Sequence, residues 1–291
     1  MVQLRTVYGD FTMFSFHGEN YPITGPHMMN YPKRAWEIYR EDGLGRLASQ
    51  TKHFLRERLV PFRLEIRCRH KLNQLRYGNV PHPLTVYWID PHEVEHVILD
   101  VGLTRRFDIG KVRGGDWDLE SFPVSSWRVY RGLKQRFEEG KDWEETEYYQ
   151  MGCDKIRKNG RAWNCTSPSE FLEQRCRYVD GLYESIEQNG YRRSTELEAR
   201  KEDPGRKRDV TTRHIKTHEI SIAIDRNGSL ILAQGIHRYC ISRLLEIDKI
   251  PVQVLVRHKE WQQVRNETHK SNILPADINA SHPDLQDLLD S

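Results

Sequence analysis

Apolar and polar positions alternate most cleanly in the last third of the chain. Ile220, Ile222 and Ile224 are separated by smaller or polar residues; Asp225-Arg226-Asn227-Gly228 interrupts, and Leu230 and Leu232 resume the alternation. A period of two on both sides of an Asn-Gly pair predicts a β-hairpin. Gly235 ends it. Tyr239, Cys240, Ile241, Leu244, Leu245 and Ile247 then recur at helical spacing, which predicts a helix over 237–247. The Val-rich run from Pro251 to Val256 reads as a strand, and Lys259 to Lys270 returns to helix.

Upstream the pattern is mostly helical. Residues 1–32 show no clear period and read as an irregular arm, and Lys33 to Leu59 has helical spacing broken at Gly43 and Gly45. Arg63 to Arg76 sets Leu64, Ile66, Leu72 and Leu75 among basic residues, the pattern of an amphipathic surface helix. Leu84 to Ile89 reads as a buried strand, and Glu93 to Leu99 as a helical turn followed by another strand. Gly110 to Asp118 reads as a glycine-rich turn. Ser125 to Glu139 predicts a Ser-capped helix stopped by Gly140, and Trp143 to Tyr149 a short aromatic helix. Asn159-Gly160 opens a loop to about Thr166. Ser167, Pro168 and Glu170 form a helix-start signature, with the helix ending near Asn189 at Gly190. Residues 198–218 are charged and read as a linker, with Arg206-Lys207-Arg208 solvated. From Ser271 onward a loose polar tail is expected.

Composition narrows the class. The chain has 291 residues, 45 basic and 42 acidic side chains and a net charge of +3, so any anion site must be local. Hydrophobic residues make up 37%. The seven Trp, thirteen Tyr and nine Phe suffice for a core, so wholesale disorder is not expected. No run of about 18 apolar residues exists, so no bilayer crossing is expected. Met1 to Asn20 lacks the features of a secretory signal. Five widely spaced Cys, with no C-x-x-C pair, point to neither a disulfide framework nor a zinc ribbon. These features together predict a cytoplasmic protein.

The ordered set of hairpin, Gly235-Ile236-His237-Arg238, helix and Ile250-Pro251-Val252, preceded by Ser185-Ile186 and Gly190, resembles the ParB/sulfiredoxin superfamily over about a quarter of the chain. The resemblance implies an α+β fold: a small mixed sheet with helices, plus helical N-terminal and inserted segments. The implied layout is an arm and helical segment over 1–80, a ParB/sulfiredoxin-like domain over 81–270 with a helical insertion at about 119–181, and a tail over 271–291. The whole layout also resembles a group of uncharacterised archaeal proteins, a likeness that carries no activity. Two departures matter. Ile236 stands where sulfiredoxins carry their reactive Cys, which argues against peroxiredoxin repair. After the last helix little chain remains for the helix-turn-helix of partitioning proteins.

The turn has its own physics. A helix N-terminus presents unpaired N–H groups and partial positive charge. Gly235 leaves that end open, and His237 and Arg238 add donors, so these three are the expected phosphate contacts. Arg257 and His258, at the end of the last strand, are further phosphate-contact candidates. In Gly114-Gly115-Asp116-Trp117-Asp118, Asp116 and Asp118 either hold Mg²⁺ or act as a base, or else are solvated acids of a tight turn. His214 and His218, four apart, more often belong to a linker than to a metal pair. The expected function is therefore binding of a nucleotide or other phosphate-bearing ligand, extending to Mg²⁺-dependent phosphotransfer or NTP hydrolysis. The alternatives are a DNA-associated binding protein, using Arg63 to Arg76 and Arg206 to Arg208, and a regulatory module with a degenerate site.

Overall fold

The longest strand organises the molecule. In the computed structural model, which describes residues 62–99, 101–103, 108–196, 218–274, 278–279, 281–289 and a few helical positions between 36 and 51, every residue of Ile250–His258 is buried. This strand, β7, pairs with three others in a seven-stranded mixed sheet. The hairpin strands β5 (Ile220–Ile224) and β6 (Leu230–Gln234) lie on one side of it, β5 parallel to β7 and antiparallel to β6. On the other side, β1 (Val86–Ile89) pairs antiparallel with its first half and β3 (Lys111–Arg113) parallel with its second half. Beyond β6 come β2 (His96–Val97) and β4 (Phe122–Pro123).

The expected hairpin, helix and strand order is present. The Asn227-Gly228 turn is tied by Asp225, whose carboxylate accepts from the backbone N–H groups of Asn227 and Ser229 at 2.8 and 2.7 Å. The period of two sorts the hairpin onto two cores. Ile220, Ile222, Ile224, Leu230 and Leu232 face the larger one, while Ala223, Ile231 and Ala233 join Ile98, Trp117 and Leu255 on the opposite side.

The larger core is closed by a helical layer. Helix α1 spans Phe62–Tyr77, α2 Arg128–Phe137 and α3 Glu147–Asn159. Pro168 to Asn189 forms one further helix, α4, whose stretch Phe171–Cys176 winds as a π-helix. Helix α5 (Ile236–Leu244) leaves β6 and packs against α2 and α4, while α6 (Lys259–Ser271) follows β7. Helix α2 and helix α3 approach closely because Gly132 has no side chain: a Cβ there would lie 2.2 Å from the backbone nitrogen of Tyr148.

Several expectations are adjusted. Residues 111–113, read as part of a turn, form β3 because β7 offers them a free edge. The strand at 84–89 is an edge strand, and Trp88 is half exposed. Helix α2 begins at Trp127 without a side-chain cap, a short 3-10 turn taking up Ser125 and Ser126. Ser167 does cap α4, accepting from Glu170 N at 3.2 Å, but Glu170 answers to Thr166 rather than to the cap residue. The tail docks rather than hangs loose. Leu285 and Leu288 enter the core, and Asp284 forms a buried ion pair with Arg257. No helix among the described residues is long and apolar enough to cross a membrane. The charged stretch at 197–217, with Arg206 to Arg208 and His214, lies outside the described residues, as does nearly all of 1–61.

Candidate functional site

The hairpin ends separate the residues singled out from sequence into two groups. Strand β5 spans five residues, about 13 Å. At its start lie Gly235, whose missing Cβ would stand 3.0 Å from Ile220 Cα, and Arg238. At its far end lie the hairpin turn with Arg226, and Arg257 and His258 at the close of β7. Asp116 and Asp118 join the far group. Asp118, buried, accepts from Arg226 Nε at 2.8 Å and Nη2 at 2.7 Å, and Asp116 from the same Nη2 at 2.9 Å. Asp116 is therefore not brought to Arg238.

Each far-end residue has a structural partner. Burial works to raise the Asp118 pKa, but the hydrogen bonds from Arg226 outweigh it and hold the carboxyl below its ordinary value. A Mg²⁺ ion at this pair would sit beside a permanent guanidinium that already donates to both carboxylates. The donor set does not fit the metal as arranged, and among the described residues no group of three or more His, Cys, Asp or Glu could hold one. Arg257 makes bonds of 2.5 to 3.0 Å to Asp284 and one of 2.8 Å to Tyr87 Oη. His258, 1% exposed, caps α6 by accepting from Glu260 N and meets Gly115 O at 2.8 Å.

The near end is built differently. Gly235 takes a left-handed φ of +89°, turning the chain from β6 into α5, and no side chain caps the helix. Arg238 donates to the carbonyl of His218 and, at 3.3 Å, to Ser194 Oγ, so it ties the entry of β5 to the end of α4's connection. His237 turns the other way, into the helical layer. There it meets Tyr148 from α3 and Arg175 from the π-helical stretch of α4. Arg175 Nε donates to Tyr148 Oη at 3.0 Å, and Arg175 Nη2 lies 2.8 Å from His237 Nδ1 and 3.2 Å from Nε2. Tyr148 Oη lies 2.9 Å from His237 Nε2.

An atom this close to both ring nitrogens cannot lie along either in-plane lone pair, so the Arg175 guanidinium stands over the face of the imidazole while the Nε2 edge meets the Tyr148 hydroxyl. Burial first, then the positive charges of Arg175 and Lys155, hold the His237 pKa well below its usual value, so the imidazole is uncharged at neutral pH. Burial likewise pushes the Tyr148 hydroxyl up to about 12, against the pull of Arg175.

Two further residues complete the cluster. Trp163 sits in a tight turn closed by two bonds of 2.9 Å between Ala162 and Cys165. Trp163 and Asn164, the two central residues, both have positive φ, 46° and 67°. A bulky non-glycine residue there is strained and persists because its surroundings hold it. The indole receives Lys155 Nζ at 4.3 Å and the Arg175 guanidinium at 5.6 Å, and Tyr178 flanks Arg175 at 5.0 Å. Burial first, then the charge of Arg128, pushes the Lys155 amine down to about 8. Neither Lys155 nor Arg175 forms an ion pair with a carboxylate among the described residues. The nearby acid Glu170 is taken up by Thr166 and Gln174.

Sequence reasoning found His237 and the Gly235 turn but missed Lys155, Arg175 and Trp163. The Trp163-Asn164 pair inside a short loop between two helices was the available signal. Compared with known proteins, the chain matches no family model, no curated protein and no solved structure.

Proposed function

We propose that the protein binds a phosphate-bearing ligand where the start of α5 meets the helical layer, with Arg175 and Lys155 as its charged contacts and Trp163 as a flat apolar wall. One observation carries this reading: two cations share an indole beside a neutral imidazole, and no described carboxylate balances them. Structural cations withdrawn from water normally gain an acidic partner, as Arg226 and Arg257 do. The start of α5, which no side chain caps, adds partial positive charge one residue before His237. The cluster is rich in donors and poor in acceptors, which suits a phosphate better than a cation or a sugar hydroxyl. The contacts differ from the expected Gly235, His237 and Arg238: Arg238 is engaged with His218 and Ser194, and His237 serves as an anchor for Arg175 rather than as a direct contact.

Calorimetric titration with inorganic phosphate, pyrophosphate, ADP, ATP and CTP tests the reading. Arg175→Gln should weaken the best of these ligands about tenfold or more, the loss of one charge-assisted contact of about 1.4 kcal/mol. Equal binding by parent and variant would overturn the assignment. Binding of ADP tighter than pyrophosphate, with the difference lost in Trp163→Ala, would show that Trp163 contributes a base contact.

A second reading rests on a different surface. On α1, Arg63, Arg67, Lys71 and Arg76 are exposed and form no ion pair among the described residues. They suit contact with a DNA backbone, and a gel shift lost steeply with salt would support it.

A further inference from the structure

The same cluster holds a group that simple binding does not use. Lys155 is partly buried, lies over the ring of Trp163 and lacks an acidic partner, so its amine is neither solvated like a surface lysine nor locked in a salt bridge. The charged groups facing it are all cationic or neutral: Arg128 from α2, itself held 3.1 Å from Asp154, Arg175 from α4, and the neutral His237 from α5. Amines are turned into nucleophiles in this way, by withdrawal from water and by neighbouring positive charge.

Resting on the phosphate-binding reading, we propose that Lys155 forms an imine with a phosphate-bearing aldehyde or ketone whose phosphate is held by Arg175 and the start of α5. The amine nitrogen attacks the carbonyl carbon, and both amine hydrogens leave with the carbonyl oxygen as one water. A C=N bond replaces the C=O bond and nothing is oxidised or reduced, so no further reactant is needed. Arg175 does not compete for the carbonyl because its guanidinium is not nucleophilic and is fixed between Trp163 and Tyr178. The lowered proton affinity of Lys155 acts in the same direction. An amine pushed down to about 8 has, at pH 7, on the order of a hundred times the free-base fraction of an exposed lysine.

The test is reductive trapping on the whole protein. Glyceraldehyde 3-phosphate and propanal, the latter without phosphate, are each incubated with the protein and cyanoborohydride, which delivers hydride to the imine carbon and fixes the adduct. Peptide mass mapping then locates it. Glyceraldehyde 3-phosphate should modify Lys155 roughly tenfold or more faster than any exposed lysine. The rate should rise through pH 8, and inorganic phosphate should suppress it. Lys155→Arg, which keeps the positive charge but has no nucleophilic amine, should lose the adduct. Modification spread evenly over the surface lysines overturns the proposal, as does propanal reacting at Lys155 as fast as the phosphorylated aldehyde. Failure of inorganic phosphate to bind the parent protein, with Lys155 still selectively trapped by propanal, would instead remove the phosphate-binding reading beneath it.

Discussion

Arg175 Nη2 stands 2.8 Å from Nδ1 of His237, a guanidinium over the face of a ring that stays uncharged. The pair locks three elements together, because Tyr148 of α3 bridges both partners. Removing the cation should release the ring. In Arg175→Gln the His237 pKa should move back toward its usual value, as read from the imidazole carbon-proton NMR signal against pH. A signal that titrates identically in parent and variant would show that burial alone sets it.

The same ring makes the fold acid-sensitive. Its folded pKa lies below the unfolded value, so the unfolded chain binds more protons once the pH drops below about 6.5. Stability from this group is complete above that pH and declines below it, by at most about 1.4 kcal/mol per pH unit. Denaturant midpoints between pH 7 and 5 should fall in the parent protein and fall less in His237→Phe.

Lys155 gives ligand binding its own pH dependence. A phosphate beside the amine favours its charged form, whereas the free protein loses that proton near pH 8. Affinity for inorganic phosphate should therefore weaken above about pH 8. Calorimetry at pH 8.5 in two buffers of different ionisation heat should show proton uptake, and Lys155→Met should abolish that uptake.

The acidic turn should prove separable from ligand binding. Asp118→Ala removes a buried acceptor of Arg226 and should cost about 1–3 kcal/mol in chemical denaturation. Phosphate affinity should be unchanged, since the turn lies at the other end of β5. A large loss of affinity with a small loss of stability would reassign Asp118 to the site.

Gly132 sets the position of Tyr148 by direct backbone contact. Alanine normally favours a helix interior over glycine by about 1 kcal/mol. Here the added methyl would drive into the Tyr148 backbone, so Gly132→Ala should destabilise by about 1–3 kcal/mol and shift the His237 signal. A more stable variant with an unmoved signal would show that α2 and α3 slide apart freely.

How far these features could be read from sequence depends on their range along the chain. The hairpin, the start of α4 at Ser167 and the Ile-Pro-Val strand are local patterns, a period of two or a cap with its partner three residues on, and the structure carries all three. Strand β3 was not legible because three residues become a strand only when β7 supplies the partner. Arg226 could not be linked to Asp118 across 108 residues, nor Arg257 to Asp284 across 27, since ion pairs at that distance leave no spacing rule. Half of the near-end site was visible because Gly235 and His237 lie on a helix start. The other half was hidden because Lys155 and Arg175 occupy positions of two helices that read as ordinary polar surface. Only their joint proximity to Trp163 distinguishes them.

The clasp between Arg257 and Asp284 has a consequence for folding. Strand β7 ends 26 residues before Asp284, the carboxylate that neutralises its Arg257. A sheet closed without residues 283–289 would enclose a bare guanidinium, which is strongly unfavourable. Burial of Arg257 and docking of 283–289 are thus coupled.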